Sequence, residues 1–145
     1  MQIKIVNKSE HPDPSYKSKG ASGMDIQANL SAPVKIEPGE RVLIPTGLFV
    51  EIPIGFEAQI RPRSGLALNH GITLLNAPGT IDSDYRGEIK ILLINLSKNT
   101  FTVQNGDRIA QMVVAANEHV EWIKTSSLTP TSRGEKGYGS TGTGI

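Results

Sequence analysis

The chain has 145 residues, a formal net charge of +1 and no cysteine. A domain of this length can bury about two thirds of the surface its unfolded chain exposes, so a single self-sufficient core is expected. Near-neutral, intermixed charge excludes a broad basic field for nucleic acid and a polybasic membrane anchor, and the missing cysteines exclude disulfides, thiolate metal sites and a thiol nucleophile.

The first segment, MQIKIVNKSE, alternates polar and apolar residues and predicts a strand. It lacks the continuous apolar stretch of a signal peptide, and no later run could span a bilayer, so a non-exported, cytoplasmic protein without membrane contact is expected. Short apolar runs follow at 41–52 (RVLIPTGLFVEI), 56–60 (FEAQI), 71–76 (GITLLN), 88–96 (EIKILLINL), 101–104 (FTVQ), 108–116 (RIAQMVVAA) and 120–123 (VEWI). Turn signals separate them: Pro38 with Gly39, Pro53 with Gly55, Pro78 with Gly79 and Asn105 with Gly106. Many short strands with spaced turns predict an all-β sandwich or barrel. SGLALNHG, from Ser64 to Gly71, is the exception: a capping serine, good helix formers and a glycine stop predict one short helix beginning at Ser64. From about Lys124 the chain turns polar and glycine-rich, so residues 1–145 read as one domain with 124–145 as an extended C-terminal arm.

Several stretches could carry chemistry. His11, His70 and His119 have no metal-ligand spacing and read as solvated or hydrogen-bonded surface groups. In PRSGLA, Arg63 stands before a helix start, where free backbone N–H groups favour an anion; a surface arginine beside an ordinary cap fits the same residues. NAPGTIDSDYRGEI gathers Asp82, Asp84, Tyr85 and Arg86 in one hairpin, where the aspartates serve either as Asx caps or as functional carboxylates. NGDRIAQ reads alone as a β-turn with Asp107 and Arg108 paired at the surface. The end, RGEKGYGSTGTGI, has almost nothing to bury; taken by itself it is a frayed terminus.

Taken in order, ASGMDIQA, PRSGLA, GTIDSDYRGEI, GDRIAQ and RGEKGYGSTG resemble the five sequence motifs of the trimeric dUTPases, from near the N-terminus to the last residues. The resemblance implies a jelly-roll subunit, a homotrimer with active sites shared between subunits, and Mg2+-assisted hydrolysis of dUTP to dUMP and pyrophosphate, which limits uracil in DNA and supplies dUMP for dTMP synthesis. It implies Asp82 as the base that orients and deprotonates the attacking water. Asn76 supplies a side-chain contact to uracil, and Tyr85 packs on the deoxyribose where a 2′-hydroxyl would sit. Arg63, Ser64 and Gly65 match the phosphate contacts of the second motif, and Gln111 the contact to the α-phosphate and its water. Asp25 matches a carboxylate that holds magnesium through a coordinated water. In the tail, Arg133 matches the arginine that meets the γ-phosphate, Tyr138 the aromatic that stacks on uracil, and Gly139, Ser140 and Thr141 the segment that closes on phosphate as a lid. The tail departs from the family pattern twice, with Lys136 in place of a usual glycine and Tyr138 in place of a usual phenylalanine. No stable nucleic-acid binding is implied. The alternatives are a dCTP deaminase of the same fold and a nucleotide-regulated, non-catalytic binding trimer. The deaminases carry a catalytic glutamate five residues beyond the third-motif glycine, and counting from Gly87 gives Leu92.

Overall fold

The computed structural model describes residues 1–137, so Tyr138, Gly139, Ser140 and Thr141 lie outside the described residues. Ten strands and one helix follow one another: β1 (Lys4–Asn7), β2 (Met24–Gln27), β3 (Val34–Ile36), β4 (Arg41–Glu51), β5 (Phe56–Arg61), α1 (Ser64–His70), β6 (Ile72–Leu74), β7 (Gly79–Ile81), β8 (Ile89–Asn95), β9 (Phe101–Val103) and β10 (Arg108–Ala116). They form two four-stranded antiparallel sheets, ordered β1-β4-β8-β6 and β2-β10-β5-β7, with β3 and β9 as a separate two-stranded ribbon. This is the all-β sandwich that the strand pattern predicts and the jelly roll that the resemblance implies.

Alternation along the strands builds the core. In β8 the side chains of Ile89, Ile91, Leu93 and Asn95 are buried while Lys90 faces solvent, the period-2 signature of a strand with one packed face. Ile26, Ala58, Ile60, Ile109 and Met112 come to the same core from the second sheet. Asn95 is buried, and its amide donates to the carbonyls of Ile36 and Asn99 while its Oδ1 accepts from the backbone N–H and hydroxyl of Ser97. One polar side chain thereby ties the β3–β9 ribbon to β8 with no unmet demand.

β4 breaks register with β8 between Pro45 and Leu48. Gly47 occupies the bulge at φ 73°, and a Cβ there would press on the backbone of Ser9. The amides freed by the bulge, those of Thr46 and Gly47, donate to Glu88 Oε1, which reaches across from the residue before β8. The chain leaves the sheets at Ala116. The run VEWI forms no strand and pairs with none among the described residues, and Val120, Trp122 and Ile123 are exposed.

Candidate active site

The second sheet gathers three of the motifs. In its register Gln111 of β10 lies between Asp25 of β2 and Arg61 of β5, so the first, second and fourth motifs meet on neighbouring strands. Arg63 leaves β5 in extended conformation and donates from Nε to Asp25 Oδ1 at 2.9 Å and from Nη1 to the Arg108 carbonyl at 2.9 Å. Arg108 Nη1 donates to the other carboxylate oxygen of Asp25 at 3.1 Å. Asp25 is mostly buried, its side chain 18% exposed, and both guanidinium groups bond to it. Gln111 Nε2 donates to the Pro62 carbonyl, and its Oε1 lies against Gly23, where a Cβ would approach to 2.5 Å.

Arg108 joins this cluster through Asp25, although the motifs assigned it no role; the turn just before it suggested a surface pair with Asp107. The structure corrects that pairing. Asp107 caps its own turn by accepting from the Gln104 backbone N–H at 2.7 Å, and Arg108 goes to Asp25. A second correction concerns the helix. It spans Ser64–His70 and stops at Gly71 in the left-handed conformation as expected, but the N-cap position is Arg63, and no side chain caps the helix. The serine lies one residue inside, so Ser64 and Gly65 stand exposed at an uncapped helix start, with open space where a Gly65 side chain would lie. The histidines have structural partners where partners are found: His11 Nε2 bonds to Asn105 Oδ1, and the His70 ring packs tilted against Phe101.

The third motif stands apart from this cluster. β7 pairs with β5 through Ala58↔Ile81 and Ile60↔Gly79, so Asp82, one residue on, stands level with the start of β5. Arg63 and Ser64 follow the far end of that strand, whose four steps from Glu57 to Arg61 cover roughly 13 Å. Asp82 and Tyr85 line a cleft with Leu43, Thr80, Ile81, Glu88 and Lys90, and neither Arg63 nor Gln111 borders it. Among the described residues the Asp82 carboxylate has no hydrogen-bond partner; its backbone carbonyl, not its side chain, accepts from the Tyr85 N–H. The Asx-cap reading of Asp82 is therefore not what the hairpin uses. Tyr85 Oη donates to the Glu88 carbonyl, and Arg86 Nη1 clamps the turn through the carbonyls of Ser83 and Tyr85. Asn76 is exposed after β6, beside the cis Ala77–Pro78 bond, with Gly79 close to its amide. In the arm, Arg133 Nε donates to the Lys136 carbonyl and reaches none of these groups.

A jelly roll carrying these five motifs in this order defines a dUTPase-like all-β protein. The dUTPase family model matches residues 9–142. The chain is 54% identical over 140 residues to the deoxyuridine 5′-triphosphate nucleotidohydrolase of Cytophaga hutchinsonii, covering 97% of this chain and 91% of that protein. It is 51% identical over 142 residues to that of Finegoldia magna, covering 98% and 99%. Among solved structures, Staphylococcus bacteriophage 80alpha dUTPase with dUPNHPP superposes with a TM-score of 0.87 at 25% identity, covering 97% of this chain and 98% of that one. A mutant dUTPase of phage phi11, described for its coordination of a structural Mg(II) ion, superposes at 0.78 with 22% identity over 88% and 98%. The chain belongs to the dUTPase family.

Proposed function

We propose that this chain hydrolyses dUTP to dUMP and pyrophosphate, with Asp82 as the general base. Membership of the dUTPase family carries the activity, and the unengaged, exposed carboxylate of Asp82 supports its role: an oxygen committed to no internal hydrogen bond can accept the proton of an attacking water. The α-phosphorus is shielded by negative oxygens, so the reaction needs a positioned nucleophile and neutralised charge more than covalent help. Ser64 and Gly65 at the uncapped helix start offer backbone N–H groups to the phosphate chain, Arg63 and Arg108 add positive charge beside them, and Gln111 has a second amide proton left for the α-phosphate or its water. Asn76 meets the uracil, and Tyr85 fills the space a ribose 2′-hydroxyl would need.

Asp25 fits the expected magnesium role. Each of its oxygens accepts one guanidinium N–H, which leaves lone pairs for water held by a cation, and Mg2+ commonly keeps several waters. When bound, the ion would neutralise phosphate charge.

Shared sites in a homotrimer are supported by the separation of Asp82 from the Arg63–Ser64 cluster. A base at one end of β5 cannot serve a phosphate chain held beyond the other end, so the nucleotide would draw its base and its phosphate contacts from different copies. Val120, Trp122, Ile123 and Leu128 are 70–88% exposed on the single chain, as expected of an arm that packs on a neighbour. The domain would then be one jelly roll with an arm from residue 117, carrying Arg133, Tyr138, Gly139, Ser140 and Thr141 to a site on the trimer. Among the described residues no helix is long and apolar enough to cross a membrane; action in the cytoplasm fits the substrate.

Deamination of dCTP lacks its glutamate, since Leu92 is a strand residue of β8 paired with Leu43. Pyrophosphate release from dUTP, beside ammonia release from dCTP, tests the proposal. Asp82→Asn should bind dUTP and lose most turnover, and near-normal hydrolysis by that variant would refute the base assignment.

A further inference from the structure

We infer that Gly87 is a specificity-positioning residue: by having no side chain it seats the Tyr85 ring, and so sets the discrimination between deoxyribose and ribose. The inference rests on the reading of Tyr85 as the residue against the sugar. Six described glycines, among them Gly47 and Gly71, have positive φ and answer to the backbone; Gly87 is not one of them. Its φ lies outside the left-handed region, so that angle does not call for glycine there. What requires it is the ring. A Cβ at position 87 would fall on Tyr85 Oη, 2.5 Å from Cζ and 2.9 Å from Cε2, distances at which two atoms cannot coexist.

The ring is tethered where it lies. Its Oη donates to the Glu88 carbonyl at 3.0 Å, and the Arg86 guanidinium holds the carbonyls on the other side of the turn. Glu88 is fixed in turn by the amides of Thr46 and Gly47 at the β4 bulge, so the hairpin that carries Tyr85 is tied to the core. A methyl group at position 87 would push out a hydrogen-bonded, 43% exposed ring whose edge borders the Asp82 cleft. Expelling it breaks the bond to the Glu88 carbonyl but opens no cavity in the core, because the ring is not buried there, so the consequence falls on the sugar pocket.

The experiment measures kcat/KM for dUTP and for UTP in the wild type, Tyr85→Ala, Gly87→Ala and the double variant, each checked for its fold by circular dichroism and for its assembly by light scattering. Tyr85→Ala should lower the ratio of the two by about tenfold or more. Gly87→Ala should lower it by a similar factor, and the double variant should fall no further than Tyr85→Ala alone, since both changes remove the same ring contact. A folded Gly87→Ala enzyme with wild-type discrimination, while Tyr85→Ala has lost it, overturns the inference; so does a double variant whose losses multiply. If Tyr85→Ala itself keeps full discrimination, the sugar reading of Tyr85 is what fails. Should Gly87→Ala not fold, a folded double variant supports the seat, because the obstacle was the ring, and an unfolded one refutes it.

Discussion

Coexpression of two inactive variants would show whether base and lid come from different subunits. One carries Asp82→Asn with its arm intact; the other ends after Ser132 and keeps Asp82. In the structure the Asp82 hairpin and the Arg63–Ser64 cluster lie toward opposite ends of β5, and the arm leaves the sheets after Ala116. Seventeen residues from Asn117 to Arg133 reach roughly 55 Å when extended, ample to cross a subunit interface. If a site takes its base from one subunit and its tail from another, a random one-to-one mixture restores both in about a quarter of sites, by the symmetry of a closed ring. If base and tail belong to one subunit, no site is whole, whatever the mixing. The assay is steady-state pyrophosphate release from dUTP on trimers purified through a different affinity tag on each variant. Each trimer that carries both chains has one whole site in three, so activity near a third of wild type, far above the sum of the parents, is the expected result. No gain in trimers shown to contain both chains would refute the crossed site.

Three further outcomes are expected. Asn95→Ala takes the side-chain partner from the buried Ile36 carbonyl and the part-buried Ser97 amide and should cost about 2 kcal/mol, read as a lower urea midpoint with an unchanged slope. Arg108→Met removes one of the two guanidinium groups on Asp25 and should raise KM for dUTP about tenfold, the worth of a charge-assisted hydrogen bond, with a smaller change in kcat. Lys4 Nζ, hydrogen-bonded to Glu51 at 2.9 Å, holds the Glu51 carboxyl below its usual 4.5. This depressed value means that the tie between β1 and β4 is fully present above pH 4.5 and is lost as the pH falls through the lower folded value, so the Glu51 carboxyl resonance should titrate below 4.5 and return toward it in Lys4→Met.

The strands and the helix were legible because their signals are local. The alternation of IKILLIN follows from a two-residue period against one packed face, and Gly71 ends the helix because the left-handed conformation there suits a residue without Cβ. The motifs named Asp25, Arg63, Asp82, Tyr85 and Gln111 by type and order, which depends on sequence alone. What stayed illegible depends on neighbours far along the chain. VEWI has the composition of a strand and forms none, since a strand exists only where a partner edge offers its hydrogen bonds, and among the described residues no strand does so. Asp107 and Arg108 are adjacent and of opposite charge, yet β-strand geometry and the fold send Arg108 to a carboxylate 83 residues away. In the same way Gly87 reads as one more turn glycine until the Tyr85 ring is found lying on it. Period and turn spacing determined an all-β sandwich or barrel, because they rest on contacts along a strand, and motif order, which rests on residue identity, led to the dUTPase family and its jelly roll; which carboxylate meets which arginine, and how far Asp82 stands from the Arg63–Ser64 cluster, were decided by sheet register, which only the packing of the whole chain sets.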